Sequence, residues 1–354
     1  MNIIIGISHP KHVYIFKNLY FKLVKANHQV LVLVSNKEMT CELLDVFGIS
    51  YILMGANKRK MIWKLLQVIK YSFITLFYAV KFKTNIFIGA GYIHFALVSF
   101  ILRKPFIFPE DTEVAKNLHK IILPFTSSFL TTKNFKNKIS HKQISLNANL
   151  ELAYLHPNYQ IDGSKNSNSE RYVLLRFVSW DAFHDAGHRG LSQNTKEILV
   201  NELLKHVKVY IASEKELPSH LEKYKLKIDP SSIHDFVAHA DLVLGESPTM
   251  TTEAAMLGTP AICISSWACG LGNFEELQKE DMIYCFTPLE ENNAVKKALE
   301  LIADNKTKEI WRNKAIKFIN ERIDLTSFLF WFIENYPLSH KTMIENPDYQ
   351  NRFK

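Results

Sequence analysis

Short apolar runs alternate with helix-length stretches from one end of this chain to the other. "NIIIGIS", "QVLVLVS", "SYILMG", "NIFIGA", "PFIFPE" and "SFLTT" come first, with helical patterning near 13–26, 38–47, 61–82 and 93–102. Near-continuous apolar runs of this length suit strands buried on both faces, which is the condition of a parallel sheet. A second alternation follows: "YVLLRFV", "KVYIAS", "KLKID", "DLVLGE", "AICIS" and "MIYCFT". Helical patterning there falls near 194–206, 217–224, 233–240, 248–257, 291–303 and 306–323. Strand–helix alternation at this spacing predicts α/β architecture with doubly wound sheets. Between the halves, "HPNYQIDGSKNSNSER" is polar and rich in Asn, Ser and Gly, the composition of a linker. The expected domains are 1–160 and 171–330, with a tail, 331–354, packing back on the first. Two Rossmann-like sheets facing a central cleft are expected, since ligands collect beyond the carboxyl ends of parallel strands.

The length of 354 residues fits two such domains. With 47% hydrophobic and 22% charged residues the chain is globular and not disordered. Cys41, Cys263, Cys269 and Cys285 form no CxxC pair, which argues against a zinc site or a disulfide framework and for a reducing compartment. The opening "MNIIIGISHP" lacks a basic head and a small-residue cleavage site, so no signal peptide is read. A cytoplasmic protein is expected, at or near the inner face of the membrane. The net charge of +8 suits nucleic acid, an acidic membrane or an anionic substrate. The lysines are spread over the whole chain, which speaks against nucleic acid.

"LVLGESPTMTTEAAMLGTP" carries the sharpest local signal. A strand ends at Gly245; Ser247 is a favoured N-cap and Pro248 a favoured first helical residue. Gly258 and Pro260 stop the helix. Its first turn offers unpaired amides and partial positive charge to a phosphate. Thr249, Thr251 and Thr252 add hydroxyls, and Glu253, one turn deeper, can accept from a ribose diol. Ordinary capping chemistry explains the same residues without a ligand.

Other polar clusters also sit at strand ends. "RFVSWDAFHDAGHRGLS" holds Arg176, Ser179, Trp180, Asp181, His184, Asp185, His188 and Arg189. Arg176 or Arg189 can neutralise a diphosphate, and His184 can hold or protonate the leaving phosphate. His184, Asp185 and His188 are metal-ligand types, but no DxD motif accompanies them, so no metal is assigned. In "SHPKH", His9 is a candidate base or a helix cap. In "FPEDTEVA", Glu110, Asp111 and Glu113 cluster with Thr112 as a general base or sugar ligands, or as acids at a helix start. In "IGAGYIHF", Tyr92 or His94 can face a substrate.

The stretch 57–83 mixes Trp63, Tyr71, Phe73, Phe77, Tyr78 and Phe82 with seven Lys and Arg residues. Its uncharged piece is far shorter than the ~20 residues a bilayer requires. It reads as an interfacial helix facing anionic headgroups, or as a core helix with a solvated lysine face.

The strand, small-residue turn, helix with a Glu and "GTP" stop resemble the donor-binding element of GT-B glycosyltransferases and of UDP-N-acetylglucosamine 2-epimerase. More narrowly, "HVYIFKNLYFKLVKANHQVLVLV", "ELLDVFGISY", "FPEDTEVA", "YLHPNY", "VSWDAFHDAGHRGLS" and "TMTTEAAMLGTPAI" resemble the domain of unknown function 354 family. That resemblance covers most of residues 1–330 and implies the GT-B fold and nucleotide-sugar chemistry. Relatives commonly carry a glycine-richer turn where this chain has "GESPTM", and Glu246 beside a diphosphate would repel it.

The expected function is glycosyl transfer from a nucleotide sugar, UDP-linked, in cell-surface polysaccharide or glycolipid synthesis, with no other cofactor. The acceptor is a sugar or a lipid-linked molecule. The catalytic assignments are His9, Glu110, Asp111 and His184. The nucleotide is assigned to Arg176, Ser179, Gly245, Ser247, Thr249, Met250, Thr251 and Glu253. The alternatives are a 2-epimerase-type enzyme and a non-catalytic nucleotide-sugar-binding protein.

Overall fold

The computed structural model describes residues 1–56, 61–90, 92–159, 170–178 and 190–354. The chain divides into two compact units, one of Met1–Tyr159 with Arg322–Lys354, the other Gln160–Glu321. The second unit therefore ends short of the expected residue 330, because Arg322 onward packs with the first.

The first unit begins with β1 (Asn2–Ile7), α1 (Pro10–Lys25), β2 (Gln29–Asn36), α2 (Thr40–Val46), β3 (Tyr51–Ala56) and α3 (Met61–Lys81). It continues with β4 (Ile86–Gly89), α4 (Ile93–Ile101), β5 (Phe106–Glu110), α5 (Lys116–Ile122), β6 (Ser128–Thr132), β7 (Gln143–Leu146) and α6 (Leu152–Leu155). All pairings are parallel, in the order β3-β2-β1-β4-β5-β6-β7. The direction of winding reverses between β1 and β4, so their carboxyl ends flank the natural crevice of this sheet. The core holds Phe87, Phe95, Phe106, Phe108 and Phe129, all fully buried. Each contributes about 1.5–3 kcal/mol by leaving water. α1 forms because His9 caps it, Pro10 pre-sets its first turn, and Val13, Phe16, Leu19 and Leu23 recur on one buried stripe.

The second unit contains β8 (Tyr172–Phe177), α7 (Gln193–Leu203), β9 (Lys208–Ser213), α8 (Ile233–His239), β10 (Leu242–Gly245) and α9 (Pro248–Met256). Then come β11 (Ala261–Ile264), α10 (Gly272–Lys279), β12 (Ile283–Phe286), α11 (Glu291–Ala303) and α12 (Thr307–Asn320). Its sheet is parallel in the order β12-β11-β10-β8-β9, and the winding reverses between β8 and β10. The first unit is completed by α13 (Leu325–Glu334), α14 (Leu338–Glu345) and a final 3-10 stretch. Thr326 donates to the Ala153 carbonyl at 2.8 Å, and Asn147 N–H donates to Gln350 at 2.7 Å, tying this segment to the first sheet's helices and edge.

Four expectations are corrected. "KLKID" is not a strand: only Lys225 bridges Ile211, and Leu226 and Ile228, the two apolar residues of the alternation, are left only half-buried. The stretch 217–224 forms only a 3-10 turn at Glu222–Tyr224. β7 was not foreseen, since four residues after a lysine-rich loop carry little periodicity; Gln143 is held in the sheet by Thr131 at 3.2 Å. Cys269 and Cys285 form a disulfide, joining the turn after β11 to β12; that turn folds back against β12 and brings together cysteines that are 16 residues apart in sequence, while the strand register sets Cys263 beside Cys285. The greater part of the expected linker, 160–169, lies outside the described residues.

Candidate functional site

At the crevice of the second sheet, β10 delivers Gly245 beside Arg176 of β8. A side chain at 245 would place its Cβ 2.2 Å from the Arg176 carbonyl, so only glycine allows this approach. Glu246 follows, with 1% exposure. Its carboxylate accepts from Val178 N–H and Leu191 N–H, each at 2.8 Å, and pairs with Lys196 at 3.1 Å. The charge that would repel a diphosphate is thus consumed within the unit. Glu246 thus clips Val178, at the end of β8, to Leu191 and to Lys196 in α7. Gly190 is required there, since a Cβ would lie 2.2 Å from Glu246 Oε1.

Ser247 caps α9 by accepting from Met250 N–H at 3.4 Å. Pro248 has no N–H, which leaves Thr249 as the first-turn amide without a partner among the described residues. Thr251 and Thr252 are buried, and the Thr251 hydroxyl donates back to the Ser247 carbonyl at 3.0 Å. Neither hydroxyl lines an anion site, contrary to expectation, because both fall on the buried side of the helix. Arg176 is committed to an ion pair with Glu214, a partner 38 residues on that local sequence does not reveal. Glu253 is buried and meets His234 Nε2 at 3.1 Å. His234, on α8, was not anticipated; nothing in its neighbourhood in sequence marks it. Ser179 and His184, like the rest of 179–189, lie outside the described residues.

At the crevice of the first sheet, three segments converge. Lys11, in the first turn of α1, pairs with Asp111 after β5 at 2.7 Å and with Glu151 at the start of α6 at 2.9 Å. Burial alone would lower the Lys11 pKa, but the two carboxylates raise it well above the usual lysine range, so the ammonium is permanent. Glu151 is itself pushed up by burial. Glu110 Oε1 accepts from Asp111 N–H at 3.0 Å and Thr112 N–H at 2.8 Å. Burial, then the Asp111 charge, raises the Glu110 pKa from 4.5 to about 7, against the Thr112 hydrogen bond and Lys11. A carboxyl group poised near neutrality can both accept and return a proton.

His9 is a helix cap: its Nδ1 accepts from Lys11 N–H at 3.2 Å. With that lone pair engaged, the neutral ring carries its proton on Nε2 and has no free base site. His12 Nδ1 accepts from Ser8 N–H at 3.4 Å; burial, then Lys11, lowers its pKa to about 3. Tyr92 and His94 do not face a substrate. Both are buried; the Tyr92 hydroxyl donates to the Ile7 carbonyl and accepts from Ser35 N–H at 3.1 Å. His94 packs among Tyr71, Tyr92 and Phe95, and burial lowers its pKa to about 3. Glu113 is turned away to Lys136 N–H at 2.8 Å. No group of three or more metal-ligating side chains occurs among the described residues.

Two parallel-sheet α/β units with polar clusters at their carboxyl crevices define the GT-B type of fold. Solved structures bear this out. UDP-GlcNAc 2-epimerase from Neisseria meningitidis, bound to UDP-GlcNAc, aligns with a TM-score of 0.64 and 13% identity over 98% of this chain and 99% of its own. Glycosyltransferase SsfS6 of Streptomyces sp. SF2575, complexed with thymidine diphosphate, aligns with a TM-score of 0.62 and 14% identity over 94% and 99%. Spinosyn rhamnosyltransferase SpnG, complexed with spinosyn aglycone, gives 0.60 and 12% over 94% and 100%. Among curated proteins none matches the chain. The chain belongs to the protein family of unknown function DUF354, whose model matches residues 1–327.

Proposed function

We propose that this chain is a nucleotide-sugar-dependent glycosyltransferase, taking a UDP-linked donor on its second unit and an acceptor on its first. The observation that carries the reading is Glu110: a buried carboxyl raised to about 7, held by two backbone amides beside a fixed Lys11 ammonium. Glu110 removes the acceptor hydroxyl's proton as that oxygen attacks the anomeric carbon, and the nucleoside diphosphate leaves. Asp111, Lys11 and Glu151 position this base. Gly245, Ser247, Thr249 and Met250 form the strand-to-helix turn that receives the diphosphate, and Glu253 receives the ribose diol. His184 and Ser179 complete the donor side, and the scheme uses no metal ion.

Contact with the cytoplasmic face of a membrane is part of this reading. No helix among the described residues is long and apolar enough to cross a membrane. α3 buries Tyr71, Thr75 and Ala79 and exposes Trp63, Leu66, Ile69, Phe73, Phe77 and Val80 at helical spacing. Phe100 and Ile101 at the end of α4, which packs on α3, add to the apolar surface. Exposed Lys70 and Lys81 suit an anionic interface. A lipid-linked acceptor in polysaccharide or glycolipid synthesis fits such docking.

The second reading is a 2-epimerase. The same raised carboxyl can take a carbon-bound proton, and epimerases are among the fold's neighbours. Incubation with a panel of nucleotide sugars decides: transfer appears only with acceptor if the first reading holds. An epimer formed without acceptor replaces it with the second.

A further inference from the structure

A cavity of about 950 Å³ lies in the first unit between α5 and the β6–β7 connection, a few residues beyond Glu110. Lys116, Lys120, Lys138 and Lys142 line it, with His119 and a single carboxylate, Glu113. That carboxylate is engaged by Lys136 N–H at 2.8 Å. Lys116, Lys120 and Lys138 have no ion-pair partner among the described residues. Among the described residues Lys142 donates only to carbonyls, at 2.6 Å to Thr126 and 3.3 Å to Pro124. His119 is 3% exposed, and its Nε2 has no hydrogen-bond partner among the described residues. A neighbouring cavity of about 700 Å³ shares Lys142 and adds Arg103 and Lys104.

Like charges gathered around one concavity repel one another and focus a positive potential into it. Folding alone gains nothing from that arrangement, and the usual remedy of interleaved acids is missing here. The volume suits a small ligand, and lysine ammonium groups are point charges adapted to phosphate. We propose that this cavity binds a phosphate-bearing anion of two or more negative charges, a phosphate monoester or diphosphate group. It is distinct from the donor site, since every lining residue belongs to the first unit, and it stands whether or not that unit's partner reaction is glycosyl transfer.

The full chain, kept in excess UDP to fill any nucleotide site, is titrated calorimetrically with inorganic pyrophosphate. In parallel it is sedimented with phosphatidylcholine vesicles, with and without phosphatidic acid. Lys116→Glu with Lys138→Glu, both exposed, is the comparison variant. Wild-type binding that the variant weakens by about tenfold or more, with UDP affinity unchanged, is expected. Loss on pyrophosphate marks a soluble ligand; loss on phosphatidic acid alone marks a lipid headgroup. Absence of binding to both probes, or equal binding by the variant, overturns the proposal. If UDP does not bind, the donor assignment falls, while the lysine comparison still decides this one.

Discussion

Lys11 and Asp111, 100 residues apart in the chain, meet at 2.7 Å at the end of the first sheet. Glu151 lies 2.9 Å from the same ammonium. One cation thus serves two carboxylates, with a third, Glu110, next in sequence to Asp111.

Lys11→Met leaves two carboxylates without their cation in a buried setting. Breaking such a cluster costs about 3–5 kcal/mol. Urea denaturation should show a loss of that order at pH 7. Much of it should be recovered in Lys11→Met with Asp111→Asn. A single variant as stable as wild type would show that the cluster is solvated.

Glu110→Gln should lower turnover by about 10²–10⁴-fold at saturating substrate. In wild type the acidic limb of kcat should show an apparent pKa near 7. For stability, the folded pKa lies above the ordinary 4.5, so the native state holds its proton longer. The stability this group gives is full below 4.5 and declines as pH rises to about 7. The loss is on the order of 3 kcal/mol. Denaturation of wild type and Glu110→Gln across pH 4–8 should diverge over that window and run parallel above it.

Glu246→Ala leaves the amides of Val178 and Leu191 without their acceptor and Lys196 without its partner. The expected destabilisation is about 3–5 kcal/mol. Hydrogen exchange should quicken at those two amides first. Protection equal to wild type would mean that the clip is dispensable.

Glu253→Ala should weaken UDP binding about tenfold or more, while pyrophosphate binding at this turn stays unchanged. His234→Leu should weaken it similarly, because His234 fixes the Glu253 carboxylate at 3.1 Å; His234→Gln, which can still donate, should recover part. Unchanged UDP affinity in Glu253→Ala, by calorimetry, would remove the ribose assignment.

Phe73→Glu with Phe77→Glu alters side chains 69% and 60% exposed, so stability should move by less than about 0.5 kcal/mol. Flotation with phosphatidylglycerol vesicles should fall sharply. Equal flotation by the variant would exclude α3 as the docking face.

Where interactions are local, the sequence was a good guide. The start of α9 is one such place: Ser247 accepts from an amide three residues on, Pro248 sets one dihedral, and Gly258 adopts φ +73 to end the helix. The strand runs were legible for a similar reason, since burial on both faces forces apolarity residue by residue. "KLKID" misled because a short apolar pattern flanked by lysines meets the propensity of a strand but not its packing. Thr251, Thr252, Arg176, Tyr92 and His94 misled because residue type announces a donor or acceptor without saying which way it turns. His9 was the more local of its two alternatives, a cap.

Periodicity and caps alone determined that this chain builds two parallel-sheet units, and where their strands give way to helices. Which polar groups meet there was decided only in three dimensions. The order β1-β4-β5 brings the start of α1 to the end of β5, so Lys11 reaches Asp111; the order β10-β8 brings Glu246 to Val178. Strand order depends on how whole faces pack, and the charge on Glu110 depends on the burial and neighbours that result, so neither is written in any local stretch of residues.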